Sequence, residues 1–445
     1  MNPQTHSTLV RGRVLHFLAD PGVQNDPASW QYFEDGALLI EDGRIRNCGS
    51  WDSIIAALPT LTQHTAKLYD YRDKLILPGF VDCHVHYPQL RVMGSFGRQL
   101  LDWLADYTFP AEASFADPEV AKATARFFLD RLLANGTTTA SVFATVHAHS
   151  VDAFFSAAQS RRLRMLCGKV MMDRNCPDNL RDTADSSARD CAALIDRWHG
   201  KGRLRYSLTP RFAITSTPAQ LEVTGELYRS KPDLHLQSHL SENLAEMEAV
   251  RELFPDSRHY LDVYDSFGLL GPRAIYGHGI HLSDAERARL ADTQTAIAFC
   301  PTSNRFLGSG HFDYNTSTAA GVPVGLATDV GGGTSLSMIR TQAAAYEVSQ
   351  MLHTPVSAMR SLYTATLGGA RALALDDHIG NFTVGKEADF TVLDAQAQPE
   401  LRFRTSFASA LEEQIFALMI LGDDRCVHAT HVLGDRIHYP HPHAS

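Results

Sequence analysis

Two histidines stand two residues apart at the end of an apolar run, "ILPGFVDCHVHYPQL", Ile76 to Leu90. In an extended strand, residues i and i+2 point to the same side, so His84 and His86 would aim both imidazoles at one point. Further along, His239 lies in "LQSHLSEN" with Glu242 three residues later, His278 in "YGHG" and Asp329 in "LATDVGGG". Three neutral imidazoles and one carboxylate suit zinc or iron(II) and leave room for a water. A divalent ion there lowers the pKa of that water toward roughly 7, making hydroxide available at neutral pH. Left without an ion, converging polar groups of this kind would go unpaired at roughly 1–3 kcal/mol each.

An isolated pair of this spacing is a weak signal, and the chain contains others. His147 and His149 follow a strand candidate in a loop that opens a helix, and read as solvated or capping groups. His441 and His443 belong to a loose tail, "HYPHPHAS". His281, at the start of "HLSDAE", reads as supporting or structural. What sets His84 and His86 apart is the preceding "PGFVD" and the later His, His and Asp at strand ends.

The elements that must position these groups are legible in outline. From 77 to 375, short apolar strands alternate with longer helical patterns, which implies parallel βα units. The strand candidates are "LILPGFVDCHVH", "TTTASVFAT", "RMLCGKVMM", "RLRYSLTPRF", "LHLQSHL", "AIYGHG", "TAIAFCP" and "VPVGLATD". Helices are expected at Pro118 to Ala134, Pro218 to Ser230 and Leu244 to Phe254. This suits an α/β fold, a (β/α)8 TIM-like barrel, over an open doubly wound sheet. Active sites of such barrels lie at the C-terminal strand ends. Five of the candidates end there in a titratable group: His84 and His86, then Arg211, His239, His278 and Asp329. Residues 1–76 and 376–445 carry alternating strands and Gly turns, as in "EDGRI" and at Gly385 and Gly434, and predict one small β-sandwich domain built from both chain ends.

Composition excludes several classes. The chain has 445 residues, 44% hydrophobic and 20% charged, with a net charge of -10. That is an ordinary globular balance with no basic face for nucleic acid. The seven cysteines are scattered without a CxxC pair, which favours reduced thiols and a cytoplasmic setting over a disulfide scaffold. No secretory signal is seen, and no apolar run approaches the roughly 20 residues needed to span a bilayer.

"LPGFVDCHVH", "HLSEN", "GHG" and "ATD", in this order, resemble the amidohydrolase superfamily of metal-dependent hydrolases, as does the closing "GNFTVGKEADFTVLD". "YPQLRVMGSFGRQLLDWLADYTFPAE", "TPRFAITST", "CPTSNRFLGSG" and "TDVGGGTSLSM" narrow the resemblance to its guanine-deaminating branch. The resemblance implies hydrolysis of guanine to xanthine and ammonia by a metal-activated water, with one Zn2+ per subunit (Fe2+ being acceptable to the same ligands) and a homodimer. It implies His84, His86, His239 and Asp329 as metal ligands and Glu242 as proton shuttle. It places Gln89, Arg211 and Phe212 on the purine and His278 beside the water. Asp329 would also take the water's proton. Trp103 is a candidate pocket wall, although Leu101, Trp103, Leu104 and Tyr107 also read as a packed helix face. Cys83 should point away from the metal. The three glycines Gly331–Gly333 suit a close backbone approach near the ligand. The rivals are a related aminohydrolase acting on another purine, a pterin, cytosine, a triazine or an S-adenosyl thioether, and a non-catalytic scaffold, which should lack a ligand or the acid.

Overall fold

The computed structural model describes residues 7–58, 66–97 and 99–438. The chain first builds four strands, β1 (Ser7–Phe17), β2 (Trp30–Glu41), β3 (Arg44–Ser50) and β4 (Lys67–Pro78). Asp42 and Gly43 join β2 to β3 with φ of 51° and 77°, the positive values that a tight hairpin needs. The run "LILPGFVDCHVH", expected as one strand, is two. Leu75 to Pro78 finish β4, and Phe80–His86 form β5 in a different sheet. The break falls at Gly79, where a Cβ would lie 2.1 Å from Thr138 Oγ1. Only glycine lets the chain pass from one sheet to the other so close to Thr138.

From β5 the chain runs through β6 (Thr137–Phe143), β7 (Arg164–Gly168), the two-residue β8 (Val170–Met171), β9 (Arg205–Pro210), β10 (His235–Leu240), β11 (Ala274–His278), β12 (Ala296–Phe299) and β13 (Val324–Leu326). Apart from β8, which pairs beside β9, these eight strands lie in chain order and pair in parallel. The ends of that sheet meet. Asp329 N–H donates to the His84 carbonyl at 2.9 Å, and His86 N–H to the Val330 carbonyl at 2.8 Å. Asp82, fully buried, adds a side-chain clasp by accepting from Thr328 N–H at 3.0 Å and from its hydroxyl. The sheet is the expected barrel, with helices such as Pro118–Ala134, Pro218–Ser230 and Leu244–Leu253 between its strands. Asp117, Thr217 and Asn243 cap these helices with side-chain bonds to first-turn N–H groups.

The chain then returns to the first sheet with β14 (Phe390–Leu393), β15 (Val427–Val432) and β16 (Asp435–His438). The result is a seven-stranded mixed sheet, β16-β15-β14-β4-β1-β2-β3, drawn from both ends of the chain. It rolls until its outer hairpins touch: a Cβ at Gly43 would lie 2.9 Å from the Leu433 Cβ. Val10, Val14, Leu38, Ile40, Ile76, Phe390 and Val392 are enclosed within the roll, which accounts for the sandwich-like alternation in the sequence. Glu387, just before β14, meets Arg164 at the start of β7 at 2.5 Å and Arg203 at 2.8 Å, all three side chains being nearly inaccessible. This ion network ties the sheet to the barrel at the end remote from β5's histidines.

Candidate active site

The C-terminal ends of β5, β10, β11 and β13 bring five predicted side chains to one point. His84 Nε2 lies 3.2 Å from His86 Nε2, and His86 Nε2 lies 3.3 Å from His239 Nε2. Asp329 Oδ1 is 3.4 Å from His84 Nε2 and 3.3 Å from His86 Nε2. Donor atoms held about 2.0 Å from one ion in a tetrahedron stand about 3.3 Å apart. These edges therefore fit a divalent metal, and the lone pairs that would otherwise repel all converge. Burial lowers the imidazoles of His84 and His86, His86 to about 3, and at His239 the neighbouring rings add to burial. Neutral rings are what a metal site requires. His239 Nδ1–H donates to the Arg211 carbonyl at 2.6 Å, which leaves its Nε2 free for a ligand.

His84 and His86 are positioned differently. Their Nδ1 atoms are buried and find no hydrogen-bond partner among the described residues. Their rings are held by packing on Phe143, with centroids 4.6 and 4.4 Å apart, and His239 meets the same ring at 5.0 Å. On β11, Gly277 makes room for His84, since a Cβ there would lie 2.7 Å from His84 Cε1.

Glu242 and His278 flank the donors. Glu242 Oε2 is 3.3 Å from His278 Nε2, and Ser309 donates its hydroxyl to Glu242 Oε1 at 3.1 Å. Burial, reinforced by the charge of Asp329, pushes the Glu242 carboxyl up to about 8, against the opposing pull of Ser309 and Arg211. That direction favours the protonated form of the carboxyl. Its backbone is fixed from below: Glu246 accepts from Glu242 N–H at 2.8 Å and from Asn243 N–H at 3.0 Å, and Tyr260 donates to Glu246 at 2.9 Å. His278 Nδ1–H donates to Asn304 Oδ1 at 2.8 Å, which directs Nε2 toward Glu242.

Above these groups opens a cavity. Gln89, Trp103, Arg211, Phe212, Glu242, His278, Asp329 and Gly332 line it, with Leu100, Leu104 and Leu307 as apolar walls. Trp103 belongs to a helical stretch, Leu100–Trp103 continuing through Leu104–Thr108 to Phe109–Ala113. Its middle is a π turn, with Phe109 N–H bonded to the Leu104 carbonyl. Pro110 offers no N–H and would crowd an α-helical carbonyl, so a widened turn just before it relieves the conflict.

A family model for the amidohydrolase family matches residues 75–437. The chain belongs to the amidohydrolase family. It is 47% identical over 404 residues to the guanine deaminase of Escherichia coli K12, covering 91% of each chain. The solved E. coli guanine deaminase superposes with a TM-score of 0.94 at 44% identity, covering 98% of this chain and all (100%) of that one. The guanine deaminase of C. acetobutylicum, solved with guanine bound in its active site, superposes with a TM-score of 0.88 at 29% identity, over 97% of this chain and 100% of that one.

In this amidohydrolase site the other sequence readings also find a place. Cys83 turns to the opposite side of β5, its thiol donating to the Gly369 carbonyl at 3.6 Å. His281 donates to the Ser309 carbonyl at 3.0 Å and so supports the loop that holds Glu242. His147 occupies the cap position of helix Ala148–Ser160 but makes no side-chain cap bond, and His149 donates to the Phe115 carbonyl at 2.7 Å. The His441–His443 pair lies outside the described residues. Of Leu101, Trp103, Leu104 and Tyr107, Trp103 and Leu104 face the cavity while Leu101 is exposed. Sequence reasoning missed Glu112, Phe143, Asn304 and Ser309. "CPTSNRFLGSG" contains two of them, but nothing in their spacing points to the site.

Proposed function

We propose that the protein hydrolyses the exocyclic amine of guanine, giving xanthine and ammonia, with a zinc ion held by His84, His86, His239 and Asp329. When bound, the ion supplies an ionised water at neutral pH and offsets charge that develops during attack. Glu242 supplies the proton. Its carboxyl, protonated at rest, donates to ring nitrogen N3 as the water adds to C2. The carboxylate left behind takes the proton that the added oxygen sheds as the C2 carbonyl of xanthine forms and hands it to the C2 amine, which departs as ammonia, and the proton that Asp329 took from the water then restores the Glu242 carboxyl. Such positioned acid–base transfer contributes about 10² to 10⁴ in rate. Asp329, whose Oδ2 lies 3.7 Å from His278 Nε2, faces the same space and takes the proton of the attacking water. His278 orients that water and then the tetrahedral carbon's oxygen. Phe212 and Trp103 form apolar walls for the flat purine, and Gln89 and Arg211 contact its polar edge.

The observation that carries this reading is a buried carboxyl, Glu242, beside a four-donor cluster, in one cavity with a buried Arg211 and Gln89. Likeness to guanine deaminases over nearly the whole chain supports it. The reading places the protein in purine catabolism in the cytoplasm, as a homodimer. Ammonia release from a panel of bases tests it. Guanine should yield ammonia and xanthine in equal amounts, and adenine and cytosine none. Ammonia from adenine at a comparable rate, or none from guanine, contradicts it.

A further inference from the structure

Behind Arg211 and Gln89 stands a carboxylate that does not reach the cavity. Glu112, at the end of the π-turned helical stretch, is fully buried. Arg211 Nη1 donates to its Oε1 at 2.8 Å and its Oε2 at 2.9 Å, and Gln89 Nε2 donates to Oε1 at 3.2 Å. The guanidinium also lies 5.6 Å from the Phe109 ring centroid. One carboxylate thus gathers two cavity-lining side chains, from the turn after β5 and the end of β9. An ionised carboxylate only accepts hydrogen bonds. It therefore decides which end of the Gln89 amide turns toward it, the NH2, and sends the carbonyl oxygen the other way. The rest of the Arg211 guanidinium can only donate.

Building on the guanine reading, we propose that Glu112 is a positioning residue that sets the polarity of purine recognition. It presents Gln89 to the cavity as an acceptor beside Arg211 as a donor. That pair complements a ring carbonyl next to a ring N–H, the C6–N1 edge of guanine in its lactam form. Adenine offers the reverse at the same edge, an amine donor next to a bare nitrogen, and mismatches both groups. Sites built on such pairing discriminate far more sharply than apolar pockets do.

Glu112→Gln tests this, because a neutral amide can both donate and accept and so no longer fixes Gln89. Two quantities are read on metal-loaded protein: KM and kcat for guanine, and the inhibition constant of 2-aminopurine, which lacks both the C6 carbonyl and the N1 hydrogen. In E112Q the guanine KM should rise about 10- to 100-fold, the loss expected for disordered charge-assisted hydrogen bonds. kcat should fall less than KM rises, and the 2-aminopurine constant should move by less than about threefold. A guanine KM that stays put, or guanine and 2-aminopurine weakening by the same factor, overturns the proposal, since a merely structural role would affect both ligands alike. Should E112Q fail to fold with metal bound, Glu112→Asp keeps the charge but withdraws it by one methylene, and the same comparison decides. Wild-type protein that releases no ammonia from guanine would overturn the substrate reading itself. A guanine-active wild type with unchanged selectivity in the variants overturns the role of Glu112 alone.

Discussion

Phe143 carries more of the site than its chemistry suggests. It meets the rings of His84, His86 and His239 and offers no hydrogen bond to any of them. Because His84 and His86 have no partner at Nδ1 among the described residues, packing sets their aim where most metal-binding histidines rely on a polar partner. Phe143→Ala should therefore weaken metal affinity by about 10- to 100-fold, the usual cost of losing a supporting contact. A chelator competition titration measures this, and unchanged affinity would show that the strand backbone alone sets the rings. Glu242→Gln should keep the metal and lower guanine turnover by about 10² to 10⁴. Metal analysis beside ammonia release checks it, and near-normal turnover removes Glu242 as the acid. His84, His86, His239, Glu242 and Asp329 were legible because strand alternation and strand-end position turn sequence spacing into direction. Glu112, Phe143 and Asn304 were not, since each acts through a partner far away in the chain, and only the closed barrel shows which partner that is.

The elements show why the boundaries were harder to read than the fold. "LILPGFVDCHVH" has the apolar continuity of one buried strand, and nothing local reveals that Gly79 hands the chain from one sheet to another. The reason is steric and lies on β6, at Thr138, whose Oγ1, Cγ2 and Cβ would all lie within 2.8 Å of a Cβ at Gly79. Gly79→Ala should lower the thermal midpoint, with an overpacking cost of about 1–3 kcal/mol. An unchanged midpoint would mean that the crossing has slack. The rolled sheet predicts an acid sensitivity of its own. His431 on β15 lies 3.0 Å from the Tyr71 hydroxyl and stacks on Phe390 at 4.1 Å. Burial lowers its imidazole to about 4. The unfolded chain therefore takes up the proton first. The contribution is complete above about pH 6.5 and is lost as pH falls toward 4, reaching about 3 kcal/mol. His431→Gln should show a smaller drop in thermal midpoint than the wild type between pH 6.5 and 4.5. An equal drop assigns the acid sensitivity to other groups, of which His16, also lowered to about 4 by burial, is the next to examine.

At the scale of the molecule, the barrel works as a closure device. β5 and the segment after β13 are distant in sequence, and the backbone bonds of His84 and His86 to Asp329 and Val330 join them at the proposed metal ligands. Closing the barrel and assembling the donor set are thus one event. The alternation of strands and helices made the barrel legible, and alternating strands at both chain ends made the shared sheet legible. The roll of that sheet was not, because it depends on contact between the two chain ends, nor was its Arg164–Glu387–Arg203 junction with the barrel, which pairs barrel residues with one far along the chain. The central claim is that His84, His86, His239 and Asp329 enclose one divalent cation on which guanine hydrolysis depends. It is tested most directly by ammonia release from guanine after exhaustive chelation and again after adding back one equivalent of Zn2+. The account predicts loss of activity on chelation and its recovery at one ion per chain. Full guanine turnover by protein shown to be metal-free would contradict it.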